Sequence, residues 1–75
     1  MGNATLDHIA LMRRHLELGA RHILRQREII AELRAKGHET DLAERLLKTF
    51  EALQALRESD LQRHLAMRDE AGRSN

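Results

Sequence analysis

Five histidines in a chain of 75 residues raise metal coordination and phosphoryl transfer as the first chemistries to weigh. Three of them, His8, His15 and His22, recur every seven residues. Ligands on one helix converge on an ion only when they stand three or four residues apart, whereas seven residues span roughly 10.5 Å along the axis. The row therefore cannot chelate as a unit. Di-iron helical bundles use a Glu followed three residues later by His. The residues three before the histidines here are Thr5, Met12, Gly19, Ala35 and Leu61, so that motif is absent. Asp60 and His64 stand four apart and offer half a site, which a histidine from another helix would have to complete. The expectation is a chain with no bound metal and no cofactor.

His15-Leu16-Glu17-Leu18-Gly19-Ala20 opens the second possibility. In His15, Gly19 and Ala20 it is similar to the pattern of histidine phosphotransfer domains, where a Gly four residues after the His leaves room for the phosphoryl group. That resemblance implies a four-helix bundle with His15 as the phosphoryl acceptor. It departs from the pattern at Leu18, where those domains commonly carry Lys. The dimerisation segments of sensor kinases usually have Pro shortly after the His, and this chain has no proline.

Other chemistries are excluded more simply. There is no cysteine for thiol catalysis, disulfides or zinc–thiolate ligation, no glycine-rich phosphate loop, and no Ser/His/Asp constellation around Ser59 or Ser74. No enzymatic activity is expected. Arg13, Arg14, Arg21, Arg25, Arg27 and Arg34 spread around the helix and alternate with Glu17, Glu28 and Glu32. With Phe50 as the single aromatic residue, base stacking is unavailable, and nucleic acid is not an expected partner. The longest apolar run, Ile9-Ala10-Leu11-Met12, is far short of the ~18 residues of a membrane span, and no signal pattern opens the chain. A cysteine-free chain of this kind suits the cytoplasm.

The elements that hold these residues are plainer. Ile9, Leu16, Ile23 and Ile30 return every seven residues to one helical face, and Met12, Gly19, Gln26 and Leu33 form the neighbouring seam. The spacing predicts a helix over about 4–36, capped by Asn3 or Thr5, with Asp7 against the positive end of its dipole and Lys36-Gly37 as the stop signal. A turn over 37–40 leads to a second helix over about 41–70. Asp41 and Glu44 have the spacing of a capping box, and Leu42, Leu46, Phe50, Leu53, Leu56, Leu61 and Leu65 follow at near-helical spacing. Fraying is expected near Ala71-Gly72, and a disordered tail over 72–75.

So short a turn forces an antiparallel hairpin, and in simple register Ile30 meets Leu47, Ile23 meets Gln54 and Leu16 meets Leu61. Residues 1–37 carry +3 and residues 38–75 carry −2, a charge distribution that favours packing of the two halves. Two helices enclose no core, and Leu11 and Leu18 lie off the main seam. The expected assembly is therefore all-α: a two-helix hairpin that dimerises into a four-helix bundle. Its interface residues would be Ile9, Leu11, Leu16, Leu18, Ile23, Ile30, Leu33, Leu46, Phe50 and Leu53, with a helical protein as a possible alternative partner. Gly19, which costs about 1 kcal/mol inside a helix, and Gln26, a buried amide near Gln54 or Glu51, join His15 as positions of specific interest.

Residues Arg21-His22, Ile23, Gln26, Arg27, Ile30, Leu33, Gly37-His38, Thr40, Ala43, Leu46-Leu47, Phe50 and Leu53 carry one further likeness. From about His15 to Leu65 the chain resembles a group of short uncharacterised alphaproteobacterial proteins of rhizobial type. That resemblance implies a bacterial, cytoplasmic, stand-alone helical hairpin and transfers no activity. Histidines often follow the equivalent of Leu56 in that group; Arg57, Glu58 and Asp60 stand there in this chain. The residues thus favour a non-enzymatic, self-associating interaction or regulatory module over phosphotransfer through His15 or a metal-binding bundle.

Overall fold

Two long helices and one tight turn make up the chain in the computed structural model, which describes the backbone of residues 4–73 and the side chains of residues 7–70. Helix α1 spans Ala4–Ala35 and helix α2 spans Asp41–Arg73. Leucine, alanine, arginine and glutamate dominate both, residues that lose little rotamer freedom in a helix, and no proline interrupts them. Asp7 lies in the first turn of α1 as expected, but Thr5 is already inside the helix rather than capping it; Asn3 lies outside the described residues. Helix α2 continues through Gly72 to Arg73, past the expected fraying point, while residues 74–75 lie outside the described set.

The turn follows from Gly37. Its φ of +74° is the left-handed conformation that a Cβ disfavours, and it lets the chain fold back on the end of α1. The Gly37 N–H donates to the Arg34 carbonyl at 3.0 Å and the His38 N–H to the Leu33 carbonyl at 2.9 Å, which satisfies two carbonyls that the helix end leaves open. Helix α2 opens at Thr40, whose carbonyl accepts the Glu44 N–H at 2.8 Å. Asp41 is thus the first residue inside the helix, and Glu44 turns its carboxylate to Arg34 instead of closing a capping box.

The helices pack antiparallel; near the turn Ile30 and Leu47 border one groove, as the simple register expects, but further along the pairing shifts. Gln54 lies against Gly19, one turn before Ile23. The α2 seam also differs: Ala43, Leu47, Phe50, Gln54, Leu61 and Leu65 are buried or half-buried, whereas Leu42, Leu46, Leu53 and Leu56 are exposed.

The result is a single layer. The molecule measures 61 × 20 × 12 Å, and its radius of gyration of 17.5 Å compares with about 11 Å for a compact domain of this length. Among the described residues the buried aliphatic side chains are Ile9, Ile30 and Leu61, while eight large apolar side chains stay exposed. Cross-helix ion pairs Arg27–Glu51 (3.4 Å) and Arg34–Glu44 join basic α1 to acidic α2, in the sense the charge asymmetry predicts. Exposed pairs of this kind contribute only about 0.2–1 kcal/mol each. Gly37→Ala places a Cβ in the left-handed conformation and should destabilise the hairpin by about 1–2 kcal/mol, measured as a lower midpoint in urea titration with an unchanged slope.

Candidate interaction face

The hairpin has two broad faces of different chemistry. On one, Arg27 and Arg34 reach across to Glu51 and Glu44. These pairs flank a groove that Ile30, Ala31 and Leu47 also line. On the other, the residues three and four apart along α1 are His8, Leu11, His15, Leu18 and His22; along α2 they are Leu46, Phe50, Leu53 and Arg57, with His64 a heptad beyond. Shared depressions confirm the alignment: His15, Leu18, Gly19, His22 and Arg57 line one, and Gly19, His22, Phe50, Leu53 and Arg57 another. The His22 ring lies 6.3 Å from that of Phe50 at a tilt of 40°, so the histidine covers the aromatic edge. No ion pair closes this face among the described residues.

The expected interface residues therefore divide. Ile9, Leu16, Ile23, Ile30, Leu33 and Phe50 are buried or half-buried on the side where the helices of one hairpin meet. Leu11, Leu18, Leu46 and Leu53 are 40–49% exposed and share the open face. Sequence spacing placed all ten in one category because it cannot separate packing within a hairpin from packing between hairpins. Met67, also exposed, lies near the edge of this face and was missed; its place a heptad beyond Asp60 was the available signal.

Gly19 and Gln26 have specific roles in the seam. Gln26 is 7% exposed and its Nε2 donates to the Ala43 carbonyl at 2.9 Å, so its partner is backbone rather than the expected Gln54 or Glu51 side chain. Gln54 returns the arrangement from α2: its Nε2 donates to the Leu16 carbonyl at 2.7 Å. Its Oε1 is buried without a partner and occupies the space where a Gly19 side chain would begin, 2.1 Å from an ideal Cβ. Gly19 is thus the socket for the Gln54 amide.

That packing fills the space beside Gly19 from α2, while His15, Leu18, Gly19 and His22 still border an open depression on the outer side. His15 itself is exposed, beside Met12, Arg57 and Asp60. The metal half-site is also altered: the Asp60 carboxylate pairs with Arg63, and His64 Nδ1 donates to the Asp60 carbonyl at 2.8 Å. Among the described residues no group of three or more His, Cys, Asp or Glu side chains converges to hold a metal ion. Of the arginines, Arg13, Arg14 and Arg21 do border one depression, but Glu17 sits among them. Arg25 is engaged by Glu28 at 3.1 Å and Glu32 at 3.5 Å; the hydrogen bond that it donates to Glu28, then the charge of Glu32, hold its guanidinium pKa above the usual value. No helix among the described residues is long and apolar enough to cross a membrane.

Comparison with protein-family models, curated proteins and solved structures yields no match. Gly→Ala inside a helix ordinarily stabilises by about 0.5–1 kcal/mol. At Gly19 that gain should be cancelled by displacement of Gln54 and should reappear in a Gln54→Ala background, giving a coupling of about 1 kcal/mol in a double-mutant cycle read by chemical denaturation. Equal effects of Gly19→Ala in both backgrounds would contradict the socket.

Proposed function

We propose that this chain is a small non-enzymatic interaction module that self-associates, two hairpins laying their histidine–leucine faces together as a four-helix bundle in the bacterial cytoplasm. The observation that carries the reading is the uncovered stripe of Leu11 and Leu18 on α1 facing the same way as Leu46 and Leu53 on α2. Apolar side chains exposed singly need no explanation, but a continuous stripe along two parallel edges marks an association surface. A second copy suits it on three grounds. The 61 × 20 Å face exceeds the roughly 800 Å² that a standard interface buries per partner. Its fixed charges are sparse, as the desolvated centre of an interface requires. A one-layer hairpin gains an enclosed core only by acquiring a second layer.

A twofold arrangement pairs the same patch on both chains, so one substitution acts twice. Leu18→Asp and Leu53→Asp should each weaken association by at least about tenfold, through burial of a carboxylate opposite apolar surface. Leu24→Asp and Leu56→Asp, exposed outside this face, should leave it unchanged. Sedimentation equilibrium should give twice the 8.7 kDa chain mass for the wild type and for the second pair. Monomeric wild type, or equal effects of both pairs, would defeat the proposal, and the first outcome would point to a helical segment of another protein as the occupant.

A further inference from the structure

At the end of the hairpin away from the turn, His8 of α1 and His64 of α2 bring their rings together, with centres 5.2 Å apart and planes tilted by 56°. This juxtaposition is absent from any one-helix reading, because 56 residues of chain separate the two. The His64 ring is already oriented. A carbonyl can only accept, so its Nδ1 carries the proton donated to the Asp60 carbonyl, and Nε2 is the nitrogen left to face a ligand. A backbone carbonyl holding one imidazole nitrogen while the other is presented is the arrangement that supports metal-ligating histidines. The competing carboxylate is removed from the ring, since Asp60 is paired with Arg63.

We infer that His8 and His64 form a two-imidazole site for a divalent transition-metal ion of the zinc class, clipping the open end of the hairpin. Two imidazoles that share an ion at 2.0–2.1 Å from each nitrogen and meet at a tetrahedral angle have ring centres roughly 5 Å apart. The observed separation of 5.2 Å matches that distance. Both residues are exposed, so water completes the coordination sphere. Nitrogen donors select zinc, copper or nickel over magnesium and calcium, which take oxygen ligands. With two protein ligands the ion exchanges freely, yet closing so long a loop favours the folded hairpin more than a local clip does. Both protein ligands come from one chain.

The test is thermal unfolding followed by circular dichroism in a non-chelating buffer at neutral pH, with zinc chloride as the only added metal. Zinc in excess of its dissociation constant should raise the melting temperature of the wild type by about 5 °C or more, reversed by EDTA. His38→Ala, in the turn, should retain the rise; His8→Ala and His64→Ala should each abolish it. Long-range ¹H–¹⁵N spectra of the imidazoles provide a second readout, in which zinc should perturb His64 Nε2 while Nδ1 stays protonated. No rise in the wild type, a rise that survives loss of either ring, or unchanged His64 resonances would overturn the site.

Discussion

Two glutamine amides tie the helices together, and the rest of the structure depends on where they do so. Gln26 of α1 bonds the Ala43 carbonyl of α2, and Gln54 of α2 bonds the Leu16 carbonyl of α1. The arrangement is nearly symmetric about the middle of the paired region, so a one-turn slip would break both bonds at once and drive the Gln54 amide off its glycine socket. Polar seam residues of this kind fix register at a cost in stability, because amide groups fill space that aliphatic side chains would otherwise occupy. Here the cost is visible in the short roll of buried aliphatic residues: Ile9, Ile30 and Leu61.

That constraint explains why the two broad faces differ. A seam that spends two of its positions on glutamine and one on glycine secures alignment more than burial, and cross-helix ion pairs close one side only weakly. The other side keeps Leu11, Leu18, Leu46 and Leu53 in solvent. An extended single layer with more large apolar side chains outside than inside encloses no core of its own. The proposed second layer follows from this imbalance. The histidines fit the same picture: His22 shields Phe50 at the border of the face, whereas His8 and His64 meet where the helices have no covalent link.

Much of the fold was legible in the sequence because heptad spacing and a glycine stop are local signals. The α1 seam, the Gly37 turn and the importance of Gly19 and Gln26 all follow from spacing alone. The α2 seam was legible only in part because leucine is abundant around that helix: Leu42, Leu46, Leu53 and Leu56, which stay exposed, satisfy helical spacing as well as Phe50, Leu61 and Leu65, which turn inward. The partners of Gln26, the filling of the Gly19 gap by Gln54 and the meeting of His8 with His64 are all products of the register between the helices. None of them is encoded in the spacing of either helix taken separately.

The central claim is that the hairpin gains its stability by covering the histidine–leucine face with a second copy, and the concentration dependence of unfolding addresses it most directly. Folding coupled to association obeys mass action. The melting temperature of the wild type should therefore rise by several degrees across a hundredfold increase in chain concentration, with a single cooperative transition at each. A melting temperature that stays constant over that range would show that the hairpin is complete as a monomer and would contradict the account.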